Sequence, residues 1–211
     1  MRGAIKTSLL VAAAVAFGLI QAGCEPETKT ESGFLSDYTR LQKSNESSMQ
    51  FINTRELSRF SRFIVDPVEM NFSPDSSASQ LQEKGVLSEE TVSDLANYMH
   101  DSIVKAVETS GNKVVYRPAI DVARIRAAIT DLDVTKMTSL LPSAKVIGAG
   151  VGGASLEAEI IDSMTKQQIG AIVESRRGST IPFDGMGNWD AAKQAMDQWA
   201  QRFQKRLEDA K

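Results

Sequence analysis

Residues 155–176 read SLEAEIIDSMTKQQIGAIVESR, and their reading decides the fold. From Ser155 to Asp162 the side chains alternate. Leu156, Ala158 and Ile160 point one way, and Glu157, Glu159 and Ile161 the other. DSMTKQ (162–167) is a polar turn, after which Ile169, Ala171 and Val173 continue a strand to about Arg176. Two alternating runs joined by a short polar segment specify a β-hairpin. Glu174 is expected across this hairpin on the face of Glu157 and Glu159.

Upstream, Asp121–Asp133 alternates too, with Ile125, Ala127 and Ile129 on one face and Arg124, Arg126 and Thr130 on the other. Such a strand has one buried and one wetter face. Val114–Tyr116 is a short strand. Phe60–Met70 is another, broken at Asp66-Pro67, where proline has no N–H for the ladder; the strand lies at an edge or bulges there. Two amphipathic helices accompany the strands. Ser88 opens the first, with Glu89 and Glu90 in its first turn. Its stripe is Val92, Leu95, Ala96, Met99, Ile103, Ala106 and Val107, and Gly111 stops it. Asn188 is placed to cap the second, whose stripe of Trp189, Ala192, Met196, Trp199, Ala200, Phe203 and Leu207 carries both tryptophans. Phe34, Leu35, Tyr38 and Leu41 suggest a short helix or turn, Lys43–Ser48 a polar loop, and Thr54 the cap of a single turn to Leu57. Residues 71–85 read as a surface excursion. The order β-α-β-β-β-β-α predicts an α+β domain: a mostly antiparallel mixed sheet of about five strands, with two main helices packed on one face.

The N-terminus has a different character. Arg2 and Lys6 precede the apolar run Leu9–Ile20, and Gln21-Ala22-Gly23-Cys24 follows. This is the three-part layout of a secretory signal, and the run is shorter than the ~20 residues a spanning helix needs. The end resembles the bacterial lipobox: Ala22, Gly23 and Cys24 match it, whereas Gln21 stands where an aliphatic residue is usual. Residues 1–23 are thus expected to be a lipoprotein signal peptide. Cys24 would carry a diacylglyceryl thioether, with a palmitate-type chain on its freed amino group. Several acyl chains anchor stably where one binds marginally. An uncleaved signal anchor and a free buried thiol are the alternatives. Glu25 is not the Asp that resembles an inner-membrane retention signal, which favours the outer membrane. Residues 24–33 are a flexible tether of roughly 30 Å at full extension, and 34–211 a single domain facing the periplasm.

The whole chain carries a net charge of −3; the first 23 residues hold two basic groups and no acid, so the remainder carries −5. That gives no electrostatic case for nucleic acid. Cys24 is the sole cysteine, so no intrachain disulfide can form.

GFLSDYTRL (33–41), IVDPV (64–68), ARIRAAITDLD (123–133), GGASLEAEIIDSMTKQQIGAIVESRRG (152–178) and DQWAQRFQKRL (197–207) together resemble the bacterial lipoprotein family known as domain of unknown function 3313. Gln167 replaces the family's usual turn glycine, which leaves the turn type open. The resemblance implies a lipid-anchored envelope domain without an assigned activity.

Chemistry-bearing constellations are sparse. Gly148–Gly153 contains GxGxxG, but a strand-like segment follows where a dinucleotide site needs a helix. Glu157, Glu159 and Glu174 offer paired carboxylates for acid–base work on a glycan; the bland alternative is a solvated sheet face with Arg124 or Arg126 as partners. His100 is the only histidine, so a His-rich metal site is excluded. Arg176-Arg177-Gly178 reads as a solvated edge. No metal or cofactor is expected. The expectation is a non-catalytic envelope lipoprotein, its partners the membrane through Cys24 and an envelope protein or cell-wall component. The alternatives are a periplasmic glycan or peptidoglycan hydrolase, and a carrier of a lipid or small apolar ligand between sheet and helices, which a fully packed interior would exclude.

Overall fold

The computed structural model describes residues 31–135, 151–177 and 189–211, all within one compact unit, Glu31–Lys211. In chain order the elements are β1 (Gln42–Asn45), β2 (Ser48–Ile52), α1 (Thr54–Leu57), β3 (Arg62–Val65), β4 (Glu69–Met70), α2 (Ser77–Glu83), α3 (Glu89–Thr109), β5 (Lys113–Val114), β6 (Val122–Thr135), β7 (Val151–Asp162), β8 (Gln168–Arg177) and α4 (Asp190–Asp209). The expected α+β class holds. The sheet runs β1-β2-β8-β7-β6-β3-β5, with β4 also on β6. The β1 to β6 path is antiparallel throughout; β3, β4 and β5 join in parallel.

Among the described residues the sheet has eight strands rather than about five. One expected strand divides into β3 and β4 around Pro67. Four steps from Val65 to Glu69 face three from Ile125 to Ala128, so the proline sits in a bulge. Residues 42–52, expected to include a polar loop, form the β1–β2 hairpin. Its first strand is exposed along its whole length, so no apolar alternation marks it.

The hairpin β7–β8 forms as its alternation requires. Asp162 closes the turn, accepting from Met164 N (2.7 Å) and Thr165 N (3.0 Å). Lys166, not Gln167, takes the left-handed conformation, at φ 65°. Just before the turn the register shifts between Ile160 and Ile161. Farther down, Gly153 pairs with Arg177 so closely that a Cβ there would press on the Arg176 carbonyl oxygen.

Helices α3 and α4 bury their expected stripes on one face of the sheet, against Ile125, Ala127, Ile129, Leu156 and Ile160. Ser88 Oγ accepts from Thr91 N (3.2 Å), and Gly111, at φ 75°, ends the helix. Trp189 occupies the N-cap of α4 and makes no side-chain cap bond; Asn188 lies outside the described residues. Asn53, not Thr54, caps α1. The other face is covered by residues 32–41, which make a turn-rich strap and not a helix: Phe34 and Leu35 pack on Ala128, Ala171 and Val173.

A strapped carboxylate pair and a separate charge cluster

The three glutamates do not converge. Glu157 pairs across the hairpin with Val173, whereas Glu174 pairs with Leu156. Adjacent strand positions face opposite ways, so Glu157 and Glu159 lie under the strap and Glu174 lies on the helix side. The expectation of one carboxylate face is therefore corrected. So is the alternative of a solvated face, since the three are only 1–2% exposed.

Each buried carboxylate has its own partners, as burial demands. Glu157 accepts from Ser32 N (2.8 Å) and from the Tyr38 hydroxyl. Burial, then this hydrogen bond, pushes the Tyr38 hydroxyl above its ordinary pKa. Glu159 Oε2 accepts from Ser36 N (2.9 Å), Ser36 Oγ (2.6 Å) and Gln168 Nε2 (3.0 Å). Its Oε1 takes Arg126 Nη1 at 2.7 Å, and that guanidinium also lies over the Phe34 ring, 4.7 Å from its centroid. Of the two arginines considered as partners, Arg126 is one; Arg124 pairs with Asp66. On the strap, Arg40 lies 3.8 Å over Phe51 and donates to Gln168 O at 3.0 Å.

On the helix side, Glu174 is flanked by Arg176 (2.5 Å) and by Arg202 of α4 (2.6 Å). Arg176 also donates to Gln198 Oε1 at 2.6 Å. It is thus a strut between β8 and α4 and not a free solvated edge; Arg177 is exposed. An apolar cavity of about 120 Å³, half-open to the surface, lies between β2, β8 and the helices, with Trp199 and Phe203 in its wall.

The remaining candidates are dispersed. His100 is half-buried on α3 beside Asp101. Gly152 and Gly153 belong to β7, so a strand follows the glycine motif; Gly148 and Gly150 lie outside the described residues, as does Cys24. Among the described residues, no group of three or more His, Cys, Asp or Glu side chains is placed to hold a metal. Nor is any helix among them long and apolar enough to cross a membrane. Sequence reasoning missed Ser32, Ser36 and Gln168 as carboxylate partners and Arg202 as an ion-pair partner. Serine and glutamine carry no spacing signal for such a role, and Arg202 lies 28 residues from Glu174.

These features define an α+β domain in which residues 32–41 hydrogen-bond two buried carboxylates on one sheet face and an arginine of α4 pairs with a third on the other. The chain belongs to the family described as "Protein of unknown function (DUF3313)", whose match covers residues 30–203. No curated protein matches it. Two solved structures of PelC dodecamers from Paraburkholderia phytofirmans are similar, each at TM-score 0.43, with 12% and 9% identity. They cover 75% and 74% of this chain and 96% of each PelC chain. A Xanthomonas campestris protein of family DUF330 is similar at TM-score 0.39 and 14% identity, over 71% of this chain and 84% of its own.

Proposed function

We propose that this chain is a non-catalytic domain of the bacterial envelope, anchored by acylated Cys24 on the periplasmic side of a membrane, the outer membrane before the inner. There it acts by interaction with another envelope or cell-wall component. One observation carries the non-catalytic part: the carboxylates that could serve a hydrolase are buried and bonded to structural partners. A general acid or base needs its proton within reach of substrate, and the strap stands over Glu157 and Glu159. Their separation from Glu174 across the sheet also counts against a shared acid–base site. The anchor rests on Arg2, Lys6, the apolar run and Ala22-Gly23-Cys24.

Mass spectrometry of the protein purified from membranes tests the anchor. Acylation is expected on an N-terminal Cys24, and Cys24→Ser should accumulate as precursor. An intact N-terminus with a free thiol refutes the anchor. The hydrolase alternative is tested separately with Glu157→Gln, Glu159→Gln and Glu174→Gln. Cleavage of peptidoglycan by the wild type, lost in any one folded variant, would restore it.

A further inference from the structure

The cavity beside α4 has a directional composition. Its deep wall includes Met99, Ile103, Leu156 and Trp199, each no more than 4% exposed, and Ile172 and Phe203 stand half-buried nearer the surface. It is a cleft of about 120 Å³, half-open to the surface rather than enclosed. The polar side chains of its lining are Gln50, Arg202 and Arg206. Glu159 contributes only backbone, because its carboxylate is held on the opposite sheet face by Ser36 and Arg126. Arg202 is already paired with Glu174. Arg206 is exposed and donates to the neutral amide oxygen of Gln50 at 2.6 Å, so among the described residues the mouth holds one guanidinium whose charge no carboxylate there balances.

An apolar interior behind one such cation is complementary to a short apolar tail bearing a single negative charge. The guanidinium fork matches a carboxylate in two parallel hydrogen bonds, and one cation balances one carboxylate better than a doubly charged phosphate monoester. We infer that this cavity binds a monocarboxylate amphiphile of the medium-chain fatty-acid class, its tail end beside Trp199 and its carboxylate at Arg206. This gives the ligand-carrier alternative a chemical identity and is independent of acylation at Cys24.

The test uses the full chain carrying Cys24→Ser, so that no attached acyl chain competes. Decanoate brominated at its tail end should quench tryptophan emission saturably, and decanoate brominated beside the carboxylate should quench far less. Arg206→Glu should raise the dissociation constant of the acid about tenfold or more, as loss of a charged hydrogen bond does. It should leave tail-brominated decanol unaffected. Ile172→Phe, which fills the cavity, should abolish quenching by both. No saturable quenching, acid binding unchanged by Arg206→Glu, or undiminished quenching in folded Ile172→Phe overturns the inference. Arg206 is exposed, so its variant decides the matter even if Ile172→Phe fails to fold. A ligand-free dimer that Arg206→Glu dissociates would assign the groove to a second copy of the chain and also overturn it.

Discussion

The phenol of Tyr38 shows how single groups hold this molecule together. It donates to Glu157 from a strap more than a hundred residues away in sequence. Removing only the hydroxyl leaves a buried carboxylate short of a donor, and such a loss costs about 1–3 kcal/mol. Tyr38→Phe should therefore lower the free energy of unfolding in urea by about that amount. Tyr98 makes a similar bond to Asp197 Oδ1 across α3 and α4, at 2.8 Å. Burial, then this hydrogen bond and the neighbouring charge, pushes its pKa up to about 12. The folded state then keeps a proton that the unfolded state releases near pH 10. The contribution is fully present below pH 10 and is lost as pH rises through about 12. Alkaline denaturation should show a shallower loss of stability over that window in Tyr98→Phe than in wild type.

At the scale of elements, the hairpin and the strap decide what the sheet can expose. Phe34 is buried between the sheet and the Arg126 guanidinium. Phe34→Ala should destabilise by about 3–5 kcal/mol, as large aromatic truncations do. Amide exchange should rise first along residues 32–41, because Ser32 and Ser36 lose their hold on the two glutamates. Gly153→Ala tests the hairpin itself. The added methyl meets backbone, which cannot rotate away, so a cost of about 1–3 kcal/mol is expected. Faster exchange should be confined to the Gly153–Arg177 end of β7 and β8.

The hairpin also shows why alternation alone misplaces Glu174. Carried straight from the Ile161–Gln168 pair, the register would set Glu174 opposite Ser155, on the face of Glu157 and Glu159. The shift at Ile160/Ile161 sets it opposite Leu156 instead. A one-residue slip reverses every side chain beyond it. Nothing in IIDSMTKQQIG marks that slip, because either register buries isoleucine.

For the whole molecule, the strap begins close to Cys24 in sequence, with Ser32 N on Glu157 at 2.8 Å. If Cys24 is acylated as proposed, the chain from it to Ser32 spans less than ~30 Å at full extension. If residues 24–33 are the proposed tether, a Gly/Ser insert between Thr30 and Glu31 should leave thermal stability unchanged. In intact envelopes, however, it should alter crosslinking to partners that need the domain near the bilayer.

Local pattern by itself determined helices α3 and α4, the β7–β8 hairpin and the alternating β6. Apolar periodicity, Ser88 and Gly111 act within a few residues of where they stand. It also set the charge balance of the chain. Only the tertiary structure decided which carboxylates share a face, what covers them, and where a void remains under α4. Those depend on register and on contacts between distant segments, and no spacing along the chain encodes a meeting between Ser36 and Glu159 or between Glu174 and Arg202.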